Sequence, residues 1–346
     1  MESPEDGAAG RTSFGARLAG RFGAAVLHAT LWFSPYPMAR AVRRQFAASG
    51  AATNRALEEL APPAVEWWFD EPYGPARDEV LDLYRPFDAD GERPMLPAIV
   101  WVHGGGFVGG DKSHLRGWCC LLAAHGFAVV APRYSLAPEV EYPTPVQQVV
   151  DVISHLGRDA ARLGVDPRRV VLAGDSAGAQ IAAQVAAVLT DAAYAEACDV
   201  EVAQGTSAPV ATVLCCGPYD LGLVRPGKGL MADFETCCMW SYSGSRTFRT
   251  SRSFATMSVV AHVTADFPPT FVTVGNADPL SPHTASLVAA LAAQGVVVER
   301  ACFDVSHVPA LGHEYQFDLS LADARDTLQR IVEFATSHTG RHTGTG

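Results

Sequence analysis

Val170, Val171, Leu172 and Ala173 form an unbroken apolar run that passes at once into Gly174, Asp175, Ser176, Ala177 and Gly178, and then into an Ala-rich stretch ending at Leu189. Apolar residues on consecutive strand positions mean that both faces of the strand are covered, which is the signature of a mostly parallel sheet packed between helices. Turning from a buried strand into a buried helix within five residues needs a strained backbone. Glycines on either side of the serine remove the side chains that would clash there, and the turn pushes the hydroxyl out at the top of the sheet. The pentapeptide therefore predicts both an architecture and an exposed nucleophile.

The rest of the chain keeps the same rhythm. Apolar, β-branched runs recur at 98–102, 128–131, 211–214, 270–274 and 296–298, and residues 65–69 and 80–84 read as a hairpin joined through Pro72, Gly74 and Pro75. Helical patterns fall at 118–124, 146–156, 177–189, 285–293 and 322–334. The expected fold is α/β, with a mostly parallel eight-stranded sheet, helices on both faces and a helical cap. Two stretches break the alternation, so the expected division is a helical cap segment at 1–64, a first core part at 65–217, a cap insertion at 218–267, a second core part at 268–338 and a flexible tail at 339–346. Extra segments in such folds lie over the carboxyl edge of the sheet, where ligands bind.

Composition narrows the function. A 346-residue chain that is 48% hydrophobic can bury a large core, and 26 basic against 37 acidic residues leave a net charge of -11, so nothing favours binding to nucleic acid. The eight cysteines, six of them in three doublets at 119–120, 215–216 and 237–238, fit neither a zinc-ligand spacing nor a redox pair and read as small buried apolar residues. No metal or cofactor is expected. The opening Met1, Glu2, Ser3, Pro4, Glu5, Asp6 lacks the basic start of a secretory signal, which leads to an expected cytoplasmic location. The apolar run 22–33 reaches about 18 Å as a helix against roughly 30 Å of hydrocarbon, so it is expected not to span a membrane; interfacial contact through this N-terminal helix is left open.

The chemistry concentrates at four places. A phosphate or dinucleotide loop at residue 176 would need a Gly-x-Gly-x-x-Gly or Lys-Ser/Thr pattern, which is missing, so Ser176 is read as a nucleophile. After the strand at 98–102 come His103, Gly104, Gly105, Gly106 and Phe107. Three glycines let backbone N–H groups approach a ligand oxygen, and the N–H groups of Gly105, Gly106 and Ala177 are the expected oxyanion donors. A serine needs a base and an orienting carboxylate in the chain order Ser, Asp, His. Asp278 follows the strand at 270–274 and leads over Asp304 and Asp266, while both His307 and His313 remain open as the base.

With His103–Gly106, Gly174–Gly178, the stretch Tyr134 to Glu139 and the run Gly164 to Arg169, the chain resembles the hormone-sensitive-lipase-like family of α/β-hydrolases over about 97–338. The resemblance implies a cap, Ser176 as nucleophile, Asp278 as acid, and Gly105, Gly106 and Ala177 as oxyanion donors. It favours His313 as base by its distance from the last helix, with His307 the alternative if no insertion precedes residue 313. Three positions depart from the family pattern: Ser135 stands where an arginine is usual, Pro282 where a second acid is usual, and Ala179-Gln180 where Gly-Asn is usual. The implied activity is a serine carboxylesterase acting on short- to medium-chain acyl esters, with a small-molecule ester as its partner. An amidase or formamidase on the same triad and a non-catalytic small-ligand receptor on a hydrolase scaffold are the rival readings. Oligomeric state is not legible.

Overall fold

The computed structural model describes residues 28–87, 94–225 and 227–340. Its strands in chain order are β1 (Val65–Pro72), β2 (Val80–Pro86), β3 (Leu96–Val102), β4 (Ala128–Pro132), β5 (Val165–Asp175), β6 (Ala211–Cys215), β7 (Thr270–Val274) and β8 (Val298–Cys302). Its helices are α1 (Tyr36–Glu58), α2 (Arg116–Ala124), α3 (Thr144–Arg158), α4 (Ala160–Leu163), α5 (Ser176–Thr190), α6 (Ala192–Cys198), α7 (Leu230–Ser243), α8 (Arg252–Met257), α9 (Ser281–Ala293) and α10 (Ala322–His338). The strands form one sheet ordered β1-β2-β4-β3-β5-β6-β7-β8. The β1–β2 and β2–β4 pairs are antiparallel and every pair from β4–β3 to β7–β8 is parallel.

Alternation along the central strands divides the core into two layers. Ala98, Val100 and Val102 of β3 and Val170 and Leu172 of β5 join the apolar residues of α3 and α5 on one face. Ile99 and Trp101 with Val171 and Ala173 join those of α2 and α10 on the other. Because both faces are covered, consecutive residues are apolar, which is the pattern that made these strands readable. Trp101 and Trp118 are wholly buried and meet edge to face at 5.2 Å, with Phe317 completing the cluster 5.1 Å from Trp118. Each such aromatic pair adds about 0.5–1.5 kcal/mol beyond its buried area.

The last strand departs from its sequence reading. It runs Val298–Cys302 rather than 296–298, and Val297 is 64% exposed. As the sheet's edge it has one solvated face, so Glu299 and Arg300 belong to the strand while the apolar Val296–Val297 pair precedes it. The two segments that interrupt the rhythm contain α1 in the first and α7 and α8 in the second; residues 1–27 and 341–346 lie outside the described part. Helices α1 and α7 touch each other, with the Phe46 and Phe234 rings edge to face at 6.1 Å and a 2.8 Å hydrogen bond from His28, just before α1, to Asp233. Among the described residues no helix is long and apolar enough to cross a membrane.

Candidate active site

Strand β3 has β4 on one side and β5 on the other, so the chain's direction of travel across the sheet reverses there. A crevice opens at the carboxyl ends of such strands. The segment leaving β3 carries His103–Gly106 and the segment leaving β5 carries Ser176, so these two motifs meet at that crevice.

Ser176 sits at the first residue of α5 with φ +50°, a left-handed backbone conformation that is costly for a residue with a side chain. Close packing permits the turn. A Cβ on Gly178 would collide with the carbonyl oxygens of Val102 and His103, and one on Gly174 would stand 2.6 Å from the Gly178 carbonyl. Helix α5 can therefore approach β3 only with glycine at both positions. The N–H of Ala177 lies in the first turn of α5, where backbone donors have no partner within the helix and the helix dipole is positive.

His313 lies between the other two groups. Its Nδ1–H donates to Asp278 Oδ2 at 2.8 Å and its Nε2 accepts from the Ser176 hydroxyl at 2.9 Å. Asp278 is buried after β7, and its other oxygen accepts the N–H of Leu280 at 2.8 Å. His307 faces elsewhere: its Nε2 lies 3.2 Å from Asp323 on α10 and its ring packs on the Phe303 ring. Asp304 likewise turns away and accepts hydrogen bonds from Ser306. The loop holding His313 is docked by Asn276, which sequence reading did not single out. Its Nδ2 donates to the His307 carbonyl at 3.0 Å and its Oδ1 accepts the Leu311 N–H at 2.8 Å, while Ala277 donates to the Leu311 carbonyl at 2.9 Å. These bonds tie the Asp278 turn to the histidine loop.

The glycine loop is held from all sides. Gly104 N–H donates to Asp175 Oδ2 at 2.8 Å, and Tyr134 donates to the His103 carbonyl at 2.9 Å while stacking on its ring at 4.2 Å. Burial lowers the His103 pKa to about 4, so this imidazole is a neutral packing element. Gly105 adopts φ +124° with the Gly109 backbone directly where a Cβ would stand. From α7, Cys238 and Phe234 close on Gly106, and from α1, Phe46 and Arg43 close on Gly109. Ser135, in the place of the family's arginine, is bonded to Gln148 instead, through its N–H at 2.8 Å and its hydroxyl at 3.0 Å.

Two further groups stand beside these residues without any sequence signal. Glu314 takes φ +58°, and its Oε1 lies 3.8 Å from His313 Nε2 and 2.9 Å from where a Gly104 Cβ would be. Asp175 is fully buried; burial and the adjacent Glu314 carboxylate push its pKa well above the usual carboxylate range, against hydrogen bonds from Trp101 and Gly104. Cys216, the residue after β6, has φ +45° and brings its thiol against the His313 ring. Burial pushes this thiol upward too, so it is uncharged near neutral pH.

Comparison with known proteins bears on the fold and the family. A family model described as the α/β-hydrolase fold matches residues 99–315. An ethyl acetate hydrolase from Pseudomonas putida is 28% identical over 261 residues, covering 74% of this chain and 77% of that protein. A versiconal hemiacetal acetate esterase from Dothistroma septosporum is 33% identical over 138 residues, 39% of this chain and 40% of that one. Among solved structures, esterase B from Lactobacillus rhamnosis superposes with a TM-score of 0.75 at 23% identity, covering 88% of this chain and 96% of that one. The sheet, its helical layers and the matched span together place the chain: it belongs to the hormone-sensitive-lipase-like family of α/β-hydrolases.

Proposed function

We propose that this ester hydrolase is a serine carboxylesterase that cleaves short- to medium-chain acyl esters through an acyl-serine intermediate. The observation that carries the reading is the unbroken relay from the Ser176 hydroxyl to His313 Nε2 at 2.9 Å and from His313 Nδ1 to Asp278 at 2.8 Å. Ser176 Oγ attacks the ester carbonyl as His313 takes its proton; the imidazolium then protonates the departing alcohol, and the same base activates water for deacylation. Asp278 holds the tautomer and steadies the imidazolium. The charge that develops on the carbonyl oxygen falls to the N–H groups of Gly105, Gly106 and Ala177, each a donor of the kind that contributes about 3–4 kcal/mol to such barriers.

Short acyl chains are favoured because Phe234 and Cys238 press on Gly106 from α7, leaving little room beside the proposed oxyanion donors. The acetate-ester names of the two sequence relatives point the same way. The test is an initial-rate series on chromogenic esters from acetyl to palmitoyl, with an anilide alongside. We expect kcat/KM to be highest at the short end and Ser176→Ala to abolish turnover while a phosphonate labels the native protein at Ser176 alone. A preference for the anilide would replace the reading by an amidase, and a folded protein inert to every substrate and to the phosphonate would replace it by a receptor.

A further inference from the structure

We infer that Cys216, Asp278 and His313 form an inhibitory site for a thiophilic divalent cation, with zinc as the model ligand. One ligating atom from each of the three lies within 4.8 Å of the others. A tetrahedral zinc holds sulfur, nitrogen and oxygen ligands about 3.3–3.6 Å apart, so small side-chain rotations close the site. The three groups come from the ends of β6 and β7 and from the loop before α10, and the adjacency of β6 and β7 sets the first two side by side. Thiolate, imidazole and carboxylate is a donor set suited to zinc, and the two anionic ligands neutralise its charge in a buried place.

Asp278 faces Nδ1 of His313, so the cation takes the position of the Nδ1 proton. Binding shifts that proton to Nε2, so the ring stays a neutral imidazole ligand, releases the thiol proton of Cys216 to solvent and leaves the fourth position to water. The only covalent bonds broken are the S–H of Cys216 and the Nδ1–H of His313, whose proton is regained at Nε2, and nothing is oxidised. His313 is 34% exposed and provides the way in, whereas Cys216 and Asp278 are buried at 1% and 3% exposure. With a cation on Nδ1 and the proton on Nε2, the ring cannot accept the Ser176 proton, and Asp278 no longer steadies an imidazolium. The cation sits on the Nδ1 side of the ring while Ser176 faces Nε2, so the inhibition lowers kcat and leaves KM little changed.

The loss of turnover rests on the triad reading given above, but occupancy does not, and cobalt reports it separately. Titrating the full-length protein with Co²⁺ is expected to give a thiolate-to-cobalt charge-transfer band that Cys216→Ser lacks and Cys302→Ser, at the exposed cysteine, retains. Buffered zinc is expected to inhibit the native esterase reversibly, with chelator restoring the rate. In Cys216→Ser, each rate being normalised to its own zinc-free value, the inhibition constant is expected to rise at least about tenfold, since even supporting residues of metal sites carry 10–100-fold in affinity. Equal inhibition of both proteins, inhibition without the charge-transfer band, or no inhibition at millimolar zinc would each overturn the site. A cobalt band in a protein inactive on every ester would keep the site and remove the triad reading.

Discussion

As the proposed base, His313 would take a proton from Ser176 only while it is neutral, so its own ionisation would set the pH response. Burial resists the imidazolium, while the Cys216 sulfur beside the ring, the hydrogen bond to Asp278 and the Glu314 carboxylate favour it, and the balance lies above the ordinary 6.5. Since Cys216 stays protonated near neutrality, the support there comes from Asp278 and Glu314. The base is therefore lost as pH falls through this raised value, and kcat/KM should climb with pH to a midpoint above 6.5. Glu314→Gln removes a negative charge 3.8 Å from Nε2 and should move that midpoint downward; a pH–rate titration showing an equal or higher midpoint would count against it. His313→Ala should be at least about a hundredfold slower than His307→Ala, because general-base assistance supplies 10²–10⁴ in rate and His307 instead faces Asp323. Circular dichroism on both variants should precede the comparison, and a slow His307→Ala beside a normal His313→Ala would redraw the triad.

At the scale of elements, the elbow depends on how closely α5 approaches β3. Gly178→Ala puts a methyl group against the Val102 and His103 carbonyls, which are backbone atoms of the central sheet and cannot swing aside. Overpacking of this kind costs about 1–3 kcal/mol, and the rigid neighbour argues for the upper end. Urea unfolding should show the loss together with slower phosphonylation of Ser176; an unchanged midpoint would mean that α5 can move. The same contact explains why the elbow was legible: its constraint is local and written in adjacent residues. Strands β3 to β7 were legible because burial on both faces leaves continuous apolar runs. Strand β8 was misplaced because its edge position mixes Glu299 and Arg300 into the strand. The choice between two histidines needed the family resemblance, since the loop's position rests on Asn276 bonding to residues 31 and 35 positions away. Cys216 and Glu314 carried no signal because adjacent strands and a left-handed turn, not sequence spacing, bring them to the site.

Across the whole molecule, Arg43 joins the N-terminal helix to the chemistry. From α1 its Nε donates to the Val108 carbonyl at 2.7 Å, and Nη2 donates to the Ala137 carbonyl at 2.8 Å and to Glu139 at 2.6 Å. Val108 in turn donates to the Gly105 carbonyl at 3.2 Å, and Ala137 donates to that of Phe107 at 3.0 Å, so one guanidinium braces the Phe107–Val108 end of the segment that carries Gly105 and Gly106. The ion pair itself contributes little, since Arg43 and Glu139 are 32% and 46% exposed. The two carbonyl bonds matter more. Arg43→Met keeps the length and apolar stem that pack on the loop but leaves those carbonyls without their donor, at a stability cost of about 1–3 kcal/mol. Because the proposed oxyanion donors, once displaced, would act on the transition state, kcat should fall more than KM rises, with the largest loss on the poorest leaving groups. Removing residues 1–60 goes further: it strips Met38, Ala39 and Leu57 from the core and Phe46 from Phe234, and should expose apolar surface to a hydrophobic dye while ending turnover. If Arg43→Met kept native kcat and the truncated protein kept native activity, α1 would be an appendage to the hydrolase core, and the oxyanion loop would hold its shape without it.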